Sequence, residues 1–159
     1  MLKIKKKMIT ELVNELTEMY GTERKALIPI LKGIIEHERH LSEDAMVEVA
    51  RALDISSAEV FGTASFYSFL DTQPRGKYII RVCKTIVCDM KGKDEIMKTI
   101  ENCLGIKEGE TTGDKKFSLL TTNCLGQCGA GPAMLINDDV FTELTPNKVR
   151  EILKMYKLK

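Results

Sequence analysis

The 159-residue sequence predicts a mixed α+β or α/β chain in two parts, a small helical bundle over residues 1–72 and a two-layer α/β domain over 73–159. Three observations carry this. Four stretches with a helical apolar period precede residue 71. All five cysteines and every convincing strand-like run follow residue 76. Between them, Asp71-Thr-Gln-Pro-Arg-Gly76 is turn chemistry, and the pattern changes across it.

In the first part, Ile9, Leu12, Val13, Leu16, Met19 and Tyr20 share one face of a helix that Gly21 ends. A second helix runs from about Glu23 to Glu38 on Leu27, Leu31, Ile34 and Ile35; Pro29 either kinks it or marks its first turn. Ser42 caps a third helix carrying Met46, Val49, Ala50 and Leu53. Ser56 with Glu59 reads as a capping box opening a fourth, through Phe61, Ala64 and Tyr67.

In the second part, Tyr78 to Val82 is a β-rich run that ends at Cys83. A helix follows over Lys91 to Leu104, facing inward with Ile96, Met97, Ile100 and Cys103 or Leu104. Phe117 to Thr122 is a second strand, ending just before Cys124. Ala133 to Ile136 and Val140 to Thr142 form a hairpin about Asn137-Asp138-Asp139. Thr145 and Pro146 open a last helix on Val149, Ile152, Leu153 and Tyr156.

Apolar residues at 43% and charged residues at 30% are those of an ordinary soluble globular protein. A net charge of +1 supplies no drive toward nucleic acid or anionic membrane. Lys3, Lys5, Lys6 and Lys7 look like the start of an export signal, but Glu11, Asn14, Glu15 and Glu18 break the apolar stretch it requires. No apolar run approaches the roughly 20 residues that span a bilayer. The expected location is cytoplasmic, without membrane insertion, where cysteines serve as metal ligands, reactive thiols or core filler.

Cys83-Lys-Thr-Ile-Val-Cys88 is a Cys-x4-Cys pair and Cys124-Leu-Gly-Gln-Cys128 a Cys-x3-Cys pair. Each lies in the loop at the end of a predicted strand, so two adjacent strands ending together would gather four thiolates. Gly126, Gly129 and Gly131 let the main chain wrap closely enough to offer N–H donors to so much negative charge. Spacing favours a [2Fe–2S] cluster over structural zinc, which prefers Cys-x2-Cys knuckles, and over core or redox thiols. A plant-type ferredoxin would need a cysteine where Met90 stands. A Rieske centre would need His37 and His40 beside the cysteines.

Cys124-Leu-Gly-x-Cys128, followed by Pro132 and Ile136-Asn137, resembles the signature of the thioredoxin-like [2Fe–2S] ferredoxin family. Further matches are Leu27-Ile-Pro-Ile-Leu31, Val60-x-Gly62, Phe66-Tyr67, Gly92 and Leu144-Thr-Pro146, in the family's order from about residue 25 to 155. The resemblance implies a thioredoxin-like fold for residues 73–159 and one [2Fe–2S] cluster on Cys83, Cys88, Cys124 and Cys128. It also implies a non-catalytic electron-transfer subunit of an NAD(P)H-linked oxidoreductase. FMN and NAD(P)H are then expected on a partner flavin subunit, with an iron–sulfur-rich or hydrogenase subunit in the same complex. This chain has no Gly-x-Gly-x-x-Gly after a strand to hold the dinucleotide itself. The Lys/Ile-rich composition leans toward an NAD-dependent or electron-bifurcating [FeFe] hydrogenase. The matching subunits of respiratory complex I and of NAD-dependent formate dehydrogenases are the alternative, and a zinc-stabilised interaction module is a remote one.

Other features have bland readings. Cys103 is an inert thiol on the inward side of its helix. His37 and His40 are surface histidines. Some of Phe61, Phe66, Tyr67 and Phe69 belong to the helical core, leaving one or two for docking. Lys84, Lys91 and Lys93 flank the first cysteine loop, as solvated lysines or as partners of cluster charge. Residues 48–64 scan as a helix-turn-helix, but the helix from Ser56 to Leu70 carries only Glu59 as a charge, so nucleic acid is not an expected partner.

Overall fold

A computed structural model describes residues 2–158, with side chains described from Lys7 onward; the side chains at 3, 5 and 6 lie outside the described residues. The chain divides into two compact units, Met1–Pro74 and Arg75–Lys159.

The first unit contains α1 (Leu2–Tyr20), a 3-10 turn at Arg24–Ala26, α2 (Leu27–Glu38), α3 (Glu43–Ala52) and α4 (Ser57–Phe66). Pro29 falls in the first turn of α2, where its missing N–H costs nothing. Ser42 accepts the Ala45 amide at 3.2 Å, and Ser56 the Glu59 amide at 3.1 Å, so both serines cap. Ile9, Val13 and Leu16 of α1 join Ile30, Leu31 and Ile34 of α2 and Val49 of α3 in one core. A methyl on Gly33 would stand 2.5 Å from the Leu16 side chain, so glycine is what lets Leu16 seat there. Two expectations fail. Met19 and Tyr20 are exposed on the last turn of α1, not part of its buried face. Phe61, Phe66, Tyr67 and Phe69 are 52%, 79%, 45% and 55% exposed, so none is core; α4 turns Val60 and Ala64 inward instead.

The second unit is a four-stranded sheet in the order β2-β1-β3-β4, with β1 Tyr78–Cys83, β2 Phe117–Thr122, β3 Met134–Ile136 and β4 Asp139–Phe141. β1 pairs parallel with β2 and antiparallel with β3; β3 and β4 are the antiparallel hairpin. Between β1 and β2 lie α5 (Ile86–Met90) and α6 (Lys93–Leu104); α7 (Pro146–Leu158) closes the chain. Ile80, Val82, Phe117, Leu119, Met134 and Ile136 all join one core with Ile96 and Ile100 of α6 and Val149, Ile152 and Leu153 of α7. The period-2 alternation of the strands turns these side chains to one face, and α6 and α7 cover it. That is a two-layer α/β arrangement, as predicted. It leaves the ends of β1 and β2 free to deliver loops. No helix among the described residues is long and apolar enough to cross a membrane.

Candidate metal centre

Because β1 and β2 run parallel, with Cys83 opposite Thr122, the segments after them leave from the same end of the sheet. The ladder holds Cys83 firmly: its amide donates to the Ala133 carbonyl at 3.0 Å, and the Lys84 amide to the Thr122 carbonyl at 2.9 Å. Cys83 is thereby buried between β2 and the segment entering β3.

Cys88 is not in a loop, as the sequence suggests, but inside the short helix α5, and it is buried. Five residues are too few for apolar periodicity to reveal a helix. Thr85 has the extended backbone of an N-cap, yet its side chain does not cap α5. Its hydroxyl lies 3.2 Å from the Cys83 sulfur instead. Nothing in the sequence singled out Thr85.

The second pair does lie on the loop after β2. Gly126 adopts a φ of +77°, which favours glycine, and directs its amide at the Cys124 sulfur at 3.4 Å. The Cys124 and Cys128 sulfurs are 3.3 Å apart, and a 3-10 turn begins at Cys128. Cys124 is exposed and Cys128 half-buried.

The two pairs meet electrostatically. Burial acts to raise the Cys83 thiol, but hydrogen bonds from the Thr85 hydroxyl and amide, from Cys88 and from the Leu125 amide outweigh it and hold Cys83 below the ordinary thiol value. Burial, then the hydrogen bond to Cys83, pushes Cys88 up. The hydrogen bond to Cys124 and that neighbour's charge raise Cys128, which also feels the charge of Cys83, while Lys91 acts the other way. The donor set is thus four soft sulfurs in two touching pairs, with backbone N–H groups of Leu125 and Gly126 turned to them. Among the described residues, no three or more His, Cys, Asp or Glu side chains lie close enough together to hold a single metal ion. Two pairs suit a binuclear cluster, in which each iron takes two thiolates, and the residues present fit that group.

Cys103 stands apart, half-buried on α6 against the core, with its carbonyl accepting from Lys157 at 2.9 Å. His37 is exposed near the end of α2, and the His40 ring lies 3.2 Å from the Glu38 carbonyl.

A two-layer α/β unit with one cysteine pair running from the end of β1 into α5, and a second on the loop after the parallel strand β2, is the arrangement of an iron–sulfur protein on a thioredoxin-like scaffold. The profile of the thioredoxin-like [2Fe–2S] ferredoxins matches residues 13–157, and the chain belongs to that family, whose cofactor is one [2Fe–2S] cluster. It is similar to an NADH-quinone oxidoreductase subunit from Escherichia coli, 39% identical over 138 residues, 87% of this chain and 83% of that one. The corresponding NADH-quinone oxidoreductase subunit from Buchnera aphidicola subsp. Acyrthosiphon pisum is 38% identical over 157 residues, 97% of each chain. The air-oxidized crystal structure of an NAD+-reducing [NiFe]-hydrogenase superposes with a TM-score of 0.73 at 23% identity, over 83% of this chain. The chain spans only 23% of that hydrogenase chain, and the likeness shows a common fold. The chain is an electron-transfer [2Fe–2S] subunit of an oxidoreductase.

Proposed function

We propose that Cys83, Cys88, Cys124 and Cys128 hold the [2Fe–2S] cluster, and that the chain relays single electrons in an NADH:quinone oxidoreductase of the complex I type. The observation that carries the first half is the pairing of the thiols, 3.3 Å between the Cys124 and Cys128 sulfurs and a hydrogen bond between Cys83 and Cys88. The relatives' names support the second half. At 38–39% identity over most of both chains they favour complex I over the NAD-dependent or electron-bifurcating hydrogenase toward which composition leans. The hydrogenase likeness, at 23% identity, lends support to the scaffold alone.

When bound, the cluster supplies one-electron chemistry. The chain's own residues do the rest. β1 and α5 present Cys83 and Cys88 from a rigid base; the second loop presents Cys124 and Cys128 near the surface, where electrons enter or leave. The Gly126 amide offsets sulfur charge. The chain is non-catalytic in this reading: FMN and NAD(P)H sit on a partner flavin subunit, an iron–sulfur-rich subunit completes the complex, and the assembly is cytoplasmic in its location. Residues 1–72 form the helical domain and 73–159 the thioredoxin-like one.

Affinity purification of the tagged chain from its own host tests the assignment. Co-purification of a flavin- and NADH-binding subunit with quinone-reducing activity is expected; co-purification of a hydrogenase subunit instead would overturn the choice of complex. Tight NADH binding by the isolated chain in calorimetry would overturn the division of labour.

A further inference from the structure

Three lysines surround the first cysteine segment, and the structure gives them different surroundings. Lys93 is committed to Asp89 at 2.8 Å and Asp94 at 3.1 Å, and Lys84 is exposed. Lys91 crosses to the other cysteine loop: its Nζ donates to the Cys128 carbonyl at 3.1 Å and to the Gly129 carbonyl at 2.7 Å. Both are charge-assisted hydrogen bonds, stronger than neutral ones. The peptide unit is planar and trans, so drawing the Cys128 carbonyl toward Lys91 turns the Gly129 N–H to the opposite side. One ammonium therefore fixes two consecutive peptide planes at the ligand-bearing turn.

Local sequence makes this reach possible. Lys91 is the C-cap of α5, three residues after Cys88, and Gly92 follows with a φ of +93°, so the chain reverses there while the lysine stem continues outward. The stem lies along Gly131: a methyl at 131 would be 3.4 Å from Lys91 Cδ. The lysine thus braces two segments that are 37 residues apart in sequence.

We propose that Lys91 is a positioning residue of the cluster site, locking the Cys128 turn to the Cys88 helix and holding a fixed positive charge beside the ligands. This rests on the reading that the four cysteines hold the cluster. A fixed cation favours the more negative, reduced state, so it raises the reduction potential. The brace also opposes opening of the more exposed cysteine loop, the step through which iron would be lost.

The test uses the full chain with its cluster. Lys91→Met, Lys91→Glu, Lys91→Arg and Lys84→Met are compared with wild type by EPR-monitored redox titration and by the rate of iron loss to a chelator. The expected result is a more negative midpoint in Lys91→Met, a larger shift in Lys91→Glu, and return toward wild type in Lys91→Arg. Iron loss should be several-fold faster in the first two. A melting temperature that falls while midpoint and iron loss stay put would make Lys91 merely structural and overturn the proposal. An equal shift from Lys84→Met would overturn the special seat of Lys91. If wild type binds no [2Fe–2S] cluster, the underlying reading fails; if it does and Lys91→Met leaves it unmoved, only this inference fails.

Discussion

Gly131 and Cys88 approach so closely that a methyl on Gly131 would stand 3.2 Å from the Cys88 sulfur. The backbone at Gly131 has a φ of −73°, which any residue adopts, so alanine there carries no conformational penalty. Alanine gains roughly 0.4–1 kcal/mol by restricting the unfolded chain, and the close contacts with the Cys88 sulfur and with Lys91 Cδ, 3.4 Å away, act against that gain. Gly131→Ala should therefore shift α5 or the Lys91 stem by tenths of an ångström. We expect a loss of about 1 kcal/mol in the denaturant unfolding of the cluster-free chain and an altered EPR line shape in the loaded one. Wild-type values for both would contradict the packing described.

The ligand assignment separates four cysteines from the fifth. Serine at Cys83, Cys88, Cys124 or Cys128 should abolish the visible absorption or change the reduced-state EPR signal. Cys103→Ser should leave both unchanged, because Cys103 packs against the α6–α7 side of the core. A spectral change from Cys103→Ser would break the assignment.

Tyr156 gives a pH dependence with a definite sign. Burial, then a hydrogen bond to the Asp139 carboxylate, pushes its hydroxyl up to about 12. The native chain thus holds this proton more tightly than the unfolded chain, whose tyrosines titrate near about 10. Its contribution to stability is complete below about pH 10 and is lost as the pH climbs from there through about 12. Between about pH 9 and pH 11.5, wild type should lose more unfolding free energy than Tyr156→Phe. Parallel losses in the two proteins would contradict this.

The two units have separate cores, one built from Val13, Ile30, Leu31 and Val49, the other from Ile80, Ile100, Leu119 and Ile152. A fragment of residues 73–159 should consequently keep its cluster and a cooperative melt, with assembly into the complex weakened. Loss of the cluster from this fragment would count against independent domains.

Much of this was legible in the sequence because the signals were local. Ser42 and Ser56 announced helix starts, and Phe117 to Thr122 has the bounds of a strand because its β-rich run is uninterrupted. Two β-rich runs, each leading into a cysteine pair, also pointed to neighbouring strands, and β1 and β2 do pair in parallel, so the segments bearing the two pairs leave from the same end of the sheet. What was hidden depends on tertiary partners. Met19, Phe61 and Phe66 read as core because apolar residues usually are, and only the packing of Val60 and Ala64 shows that α4 presents its aromatics outward. The helix around Cys88 is too short for periodicity. Thr85 turns its hydroxyl back to Cys83 instead of capping α5, Gly131 and Lys91 act across loops, and the three neighbouring lysines look alike until their partners are seen.

Metal and sulfide analysis of the anaerobically purified chain decides whether these cysteines carry a binuclear iron–sulfur cluster. About two irons and about two acid-labile sulfides per chain are expected, lost together in Cys88→Ser. Stoichiometric zinc with no sulfide would contradict the cluster.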